Sequence, residues 1–131
     1  MKDIQQNFEK NGYVIVPGNK KLLDKIRKII FHTIKNNKKI KNKSDEEENI
    51  TKIFNNFHKF VSLKELNSLR YNIYKKINIG NAFSEIYYEI AKNYLDELVG
   101  NELSIQKKIN LSIQMPKDKD SLLDLHSDIY A

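Results

Sequence analysis

Apolar positions recur along this chain with two different periods, and the change of period divides it. From Lys21 to about Asn37, Leu22, Leu23, Ile26, Ile29, Ile30 and Ile34 fall within roughly 140° of a helical wheel, opposite Lys21, Lys25, Lys28 and Lys35, which predicts an amphipathic helix. Phe31 lies outside that stripe. Asp3 to Lys10 predicts a short helix, and Gly12-Tyr-Val-Ile-Val-Pro-Gly18 a strand of β-branched and aromatic residues closed by Pro-Gly. Ile50 to Val61 resumes a helical pattern through Ile53, Phe54, Phe57 and Phe60. Ser62-Leu-Lys-Glu65 is a capping box that opens a helix burying Leu63, Leu66, Leu69, Ile73 and Ile77 and stopping near Gly80. A last helix, about Ala82 to Val99, carries Phe83, Ile86, Tyr87, Ile90, Tyr94 and Leu98 on one stripe and ends at Gly100. Between the second helix and Ile50, Lys38 to Asn49 has no apolar periodicity and only Ile40 to bury, so a surface loop is predicted there.

After Gly100 the period becomes two. Leu103, Ile105, Ile109, Leu111, Ile113 and Met115 alternate with Ser104, Gln106, Lys108, Asn110, Ser112 and Gln114, a strand pattern broken only by Lys107. Thirteen residues at ~3.3 Å each would span ~43 Å, longer than most strands, so a bend is expected near Lys107 and Lys108. Pro116 ends the run, and Leu122 to Ile129 returns to strand-like spacing after a polar loop. The elements together predict an α+β fold in one domain, residues 1 to 131: a short helix and strand over 1–20, a helical region over 21–99 with the charged loop 38–49, and strands over 100–131.

Composition changes this picture in two ways. The formal charge is +6, but 21 of the 23 basic residues are Lys, and Lys, Asn and Ile together fill 55 of 131 positions, as codon bias toward A and T would produce. Arg, which forks onto guanine and phosphate, occurs only at Arg27 and Arg70, so no nucleic acid partner is expected. The surplus is also confined: residues 1–44 carry +9 and residues 45–131 carry −3. With no Cys, thiolate chemistry and Cys-based metal sites are excluded within these residues. No apolar run approaches the roughly 18 residues of a membrane span, and Met1-Lys-Asp-Ile-Gln-Gln lacks the apolar stretch of a signal peptide, so a cytoplasmic protein without a membrane span is expected.

One short motif has a direct chemical reading: His126-Ser127-Asp128. On a strand, residues i and i+2 share a face, so an imidazole and a carboxylate can converge on one divalent ion. Two His and one carboxylate on one face of an octahedron leave three positions open, the arrangement of non-haem Fe(II) oxygenases. Alone, His-x-Asp is weakly specific, since three His and eight Asp in 131 residues give roughly 0.2 matches by chance.

Its surroundings are more specific. Phe8-Glu-Lys-Asn-Gly-Tyr-Val-Ile-Val-Pro-Gly18 followed by an amphipathic helix resembles the opening of phytanoyl-CoA dioxygenase-like oxygenases, which use Fe(II) and 2-oxoglutarate. Ile109-Asn-Leu-Ser-Ile-Gln-Met-Pro116 and then Leu125-His-Ser-Asp-Ile-Tyr130 resemble the iron-ligand entry of that family, and more narrowly the branch associated with bacterial carbohydrate and surface-polysaccharide gene clusters. The resemblance implies His126 and Asp128 as iron ligands and a double-stranded β-helix of the jelly-roll or cupin type, with helices packed on its first strands. It implies Fe(II) and 2-oxoglutarate as cofactors and a small-molecule substrate, a sugar or surface-polysaccharide precursor. The polar face formed by Asn110 and Gln114 has two readings, a wall of the cosubstrate pocket or a surface facing water. No catalytic residue apart from the metal ligands is implied.

The family's second His ligand and the basic residue that receives 2-oxoglutarate lie well downstream of the motif, whereas Ala131 lies three residues past Asp128; His32 and His58 precede it, in the wrong order for that ligand. The resemblance therefore implies an N-terminal part of an oxygenase, inactive alone, that leaves the β-helix incomplete; a separately encoded C-terminal half is the partner this implies. Coding DNA past codon 131 that continues into a strand-borne His and a following Arg is the matching expectation. Two other classes remain open at this stage: a non-catalytic helical interaction module, and a basic amphipathic helix, Lys20 to Lys43, that binds anionic lipid or nucleic acid.

Overall fold

In a computed structural model of the chain, residues 2–37, 39–100, 104, 106–116 and 118 are described, and their regular structure is helical. The order is α1 (Lys2–Asn11), α2 (Lys20–Ile34), α3 (Glu47–Asn55), a single 3-10 turn (Phe57–Lys59), α4 (Leu63–Ile77) and α5 (Ala82–Val99). Helix α2 is the hub: α3, α4 and α5 all pack on it, while α1 rests on α5.

Each boundary has a local cause. Asn19 caps α2, its side-chain oxygen accepting from the Leu22 amide at 3.2 Å, and satisfies one of the helix's orphan donors. At the other end of α2, Lys76 from α4 donates to the Thr33 carbonyl at 3.1 Å, a cation at the negative pole of the helix. Helix α5 stops at Gly100, whose φ of 83° only glycine adopts without strain; its amide still donates to Asp96 at 3.0 Å. The run Ile50 to Val61 does not form one helix. It breaks at Asn56, whose side chain turns back onto the Lys52 carbonyl at 3.0 Å.

The capping box of α4 is formed. Glu65 accepts from the Ser62 amide at 3.0 Å and from the Ser62 hydroxyl at 2.7 Å. The backbone bond first, and the hydroxyl second, hold the Glu65 carboxyl below its usual range. A depressed folded-state pKa stabilises the fold above the unfolded carboxyl's value, and that contribution disappears as pH falls through the folded value. Wild type is therefore expected to exceed Glu65→Ala in urea resistance at pH 7, with the gap closing below about pH 4. An equal gap at pH 7 and pH 3 would contradict this.

The core comprises Phe31 and Ile34 of α2, Ile50 and Ile53 of α3, Ile73 and Ile77 of α4, Phe83 of α5, and Ile40 from the charged loop. Val61, Leu66 and Met115 form a smaller cluster beyond it. Phe31, outside the sequence-derived stripe, is 0 % exposed, because a helix covered by three others buries more than one stripe. Leu63 and Tyr87 depart the other way and are about half exposed.

The strand expectations are corrected. No strand or sheet is present among the described residues, so the α+β class with helices on the first strands of a double-stranded β-helix does not hold for them. Residues 13–19 run without ladder pairing, with Ile15 89 % exposed, and Tyr94 on α5 donates to the Pro17 carbonyl at 3.2 Å. In residues 109–115 the alternation survives in burial: Ile109, Leu111, Ile113 and Met115 turn inward, and Asn110, Ser112 and Gln114 are exposed. A bend lies at Lys107 and Lys108. The apolar face is covered by helices, and the backbone finds side chains in place of a second strand. Alternation specifies a half-buried extended run; it does not specify that a sheet does the burying.

No helix among the described residues is long and apolar enough to cross a membrane. The opposite charge blocks of the sequence meet: Lys20 pairs with Glu47 at 3.3 Å, and His32 lies 3.8 Å from Asp45. The acidic run Asp45 to Glu48 thus faces part of the basic helix.

Candidate functional site

The residues singled out for chemistry divide into two groups. His126 and Asp128 lie outside the described residues, as does the strand-like run Leu122 to Ile129. Asn110 and Gln114 lie on the segment leading toward them, and its attachment to the helices can be built residue by residue.

Helix α4 supplies that attachment from two positions. At its C-terminal end, Asn78 binds both backbone groups of Ile109: its amide nitrogen donates to the Ile109 carbonyl at 2.9 Å, and its oxygen accepts from the Ile109 amide at 2.8 Å. The carboxamide therefore offers the donor and acceptor that a neighbouring strand would offer. Its nitrogen also donates to the Tyr74 carbonyl at 2.8 Å, within α4's last turn, which fixes the side chain's orientation. Eight residues earlier, Arg70 donates through Nε to the Ile113 carbonyl at 3.1 Å and again through Nη2. The same Nη2 reaches Asp118 Oδ2 at 3.4 Å, and Nη1 donates to Asn67 at 3.1 Å. A turn closes the segment, the Asp118 amide donating to the Met115 carbonyl at 3.1 Å.

Direction follows from this pairing. Ile109 sits at the C-terminal end of α4 and Ile113 lies nearer its N-terminus, so the segment runs antiparallel to the helix. Met115 completes the run by packing with Val61 and Leu66.

Beside the segment is an open, mainly apolar groove of about 280 Å³. Ile30 and Ile34 of α2, Phe54 and Phe57, Ile73 of α4, and Leu111 and Ile113 of the segment line it. Ser112 and Gln114 supply its polar lining, whereas Asn110 is exposed and not part of it. The structure thus separates the two candidate cosubstrate residues. Gln114 borders the groove, and Asn110 faces outward.

His32 and His58 are exposed, on α2 and on the 3-10 turn. Among the described residues no three His, Asp or Glu side chains converge as a metal group would require. Neither the apolar periodicity nor a motif points to Asn78 or Arg70. For Arg70 a signal existed: in a chain with 21 Lys, either of two Arg positions marks a place where a planar fork can do what an ammonium cannot. Asn78 carries no comparable mark among 16 Asn. No family model matches the chain, and neither a curated protein nor a solved structure matches it.

Proposed function

We propose that this chain forms part of an Fe(II)/2-oxoglutarate-dependent oxygenase, with His126 and Asp128 as two of the metal's ligands and a carbohydrate or surface-polysaccharide precursor as substrate. The observation that carries the reading is the sequence motif His126-Ser127-Asp128 set in Leu125 to Tyr130, downstream of the alternating run that ends at Pro116. The donor set suits the ion: a neutral imidazole nitrogen and a carboxylate oxygen are ligands that Fe(II) accepts. When bound, the iron and 2-oxoglutarate supply the oxidative chemistry that hydroxylates a substrate. The chain's own contribution is to hold the metal through the His126 imidazole and the Asp128 carboxylate.

Anaerobic Fe(II) titration, followed through the imidazole proton resonances, tests the assignment. His126 is expected to broaden selectively, with His32 and His58 unaffected. Asp128→Ala should weaken the effect at least roughly tenfold, since loss of even an outer-shell partner costs that much at metal sites. Equal broadening of all three His, or none at His126, contradicts the reading.

The helical core favours a second reading, a non-catalytic interaction module, because α2 to α5 close a core among themselves without a sheet. It predicts no selective Fe(II) effect at His126, so the same titration separates the two.

A further inference from the structure

We propose that the chain docks on the surface of an anionic phospholipid bilayer through a basic stripe on α2, with Tyr13 and Ile15 as the apolar side chains that enter the headgroup region. This is independent of the oxygenase reading. The fold closes the simpler route: α2's apolar stripe is covered by α3, α4 and α5, so this helix cannot lay its own hydrophobic face in a membrane. Its basic face stays outward.

Lys21, Lys25, Lys28, His32 and Lys35 follow one another at alternating intervals of four and three residues. That spacing keeps all of them within about 80° of the helix circumference along ~21 Å of its axis. Lys21, Lys25, Lys28 and His32 are exposed, and Lys35 is half-buried. The acidic run meets α2 through Lys20 and His32, and Asp24 is taken by Arg27 at 3.1 Å. Among the described residues Lys21, Lys25 and Lys28 therefore stand without an ion pair. Codon bias does not account for the alignment, because it would add lysine to exposed positions on every helix alike: α5 carries Lys92 alone against Glu85, Glu89, Asp96 and Glu97.

A second observation is apolar. The chain enters α2 from the extended segment 13–19, where Tyr13 is 64 % and Ile15 89 % exposed while Val14 and Val16 are half-buried. Residues i and i+2 of extended chain share a side, so the two large side chains project together, opposite Val14 and Val16. Ile15 precedes Lys21 by six residues, so chain reach alone holds this tip within about 20 Å of the start of the stripe. A bilayer of anionic lipid offers both complements side by side: a negative surface for clustered lysines and, just below it, an apolar phase for Ile and an interface for Tyr. Nucleic acid fits less well. The one Arg of α2, Arg27, is paired with Asp24, and no Tyr, Trp or exposed Phe lies among the lysines for bases to stack on.

Co-sedimentation of the full chain with vesicles of phosphatidylcholine alone, and of phosphatidylcholine with about 30 % phosphatidylserine, tests this. Binding is expected to the second and not the first, and it should weaken as salt rises. At about fivefold per lysine near an anionic surface, replacing Lys21, Lys25 and Lys28 together by Gln should weaken binding roughly hundredfold. Lys59→Gln, Lys64→Gln and Lys75→Gln together remove the same charge from exposed positions off α2 and should change it by less than about threefold. The chain has no Trp, so Ile15→Trp places a single reporter in the tip; its emission should shift to the blue with anionic vesicles and stay unchanged with neutral ones. All these side chains are exposed, and urea midpoints near wild type check that the variants fold. Should the α2 triple variant unfold, Lys25→Gln alone, at about fivefold, carries the comparison. No binding to anionic vesicles, equal binding to both vesicle types, or equal losses in the two triple variants overturns the proposal. Stripe-dependent binding to a single-stranded oligonucleotide, with none to anionic vesicles, overturns it in favour of nucleic acid. Anionic binding with unshifted emission from Ile15→Trp overturns the role of Tyr13 and Ile15 and leaves the stripe.

Discussion

Replacing Phe31 with alanine is expected to remove about 3–5 kcal/mol of folding stability, much of what a domain of this size has. Phe31 is fully buried in the cluster where α2 meets its neighbouring helices, with Ile34, Ile73, Ile77 and Phe83 among that cluster's members. Truncation leaves a ring-sized cavity in the middle of the hub, where no single neighbour can collapse into it without leaving another contact. Phe8, partly exposed on α1, is the control: Phe8→Ala should cost under about 1 kcal/mol. Urea denaturation of both variants measures the contrast. A loss below about 1 kcal/mol at Phe31 would mean that the helices are not packed around it as described.

Ile40→Asp is the second large expected effect, on the order of 4 kcal/mol or more, in a loop whose composition invites mutation to charge. Ile40 is 0 % exposed although Lys39 and Lys41 on either side are exposed. Hydrogen bonds from the Ile40 and Lys41 amides to the Asn37 carbonyl, both 2.9 Å, form the turn that brings it inward. A carboxylate there would have to be protonated or leave the core, and either outcome sacrifices the burial that anchors the loop. Lys41→Asp, one position on, should change stability by no more than about 0.5 kcal/mol. Comparable urea midpoints for Ile40→Asp and Lys41→Asp would show that the loop is held by something other than this one side chain.

These two residues show where the sequence was legible. The 3.6-residue period located α2, α4 and α5 closely, because an apolar stripe must face a neighbour whatever that neighbour is. Local chemistry was equally readable: Ser62 and Glu65 cap α4 as their spacing requires, and Gly100 ends α5. Phe31 and Ile40 were not legible in the same way. The first is buried because three helices surround α2, and the second because a turn directs it inward, and neither fact is contained in a periodic pattern. Leu63 fails for the opposite reason: it lies on the apolar side of α4, yet it is half exposed.

The candidate site divides along the same line. His126-Ser127-Asp128 is a property of sequence alone, and the metal chemistry proposed for it rests on the two side chains and their spacing. Asn110 and Gln114 look equivalent in sequence, both even-numbered polar residues on one run, yet only Gln114 borders the groove. Arg70 and Asn78 gain their roles from partners 43 and 31 residues away.

By itself the sequence determined where α2, α4 and α5 lie, the capping box that opens α4, and that residues 109–115 turn alternate side chains to opposite sides, since those features depend on neighbours within a few residues; it did not place α3, which starts at Glu47 inside the expected loop and stops at Asn55. It did not determine what those alternating side chains pack against. A period of two states only that one face is buried, and a sheet or a set of helices satisfies it equally. The tertiary structure decided for helices, because α4 presents a carboxamide and a guanidinium at the spacing an extended backbone needs, with the Asp118 carboxylate beside that guanidinium.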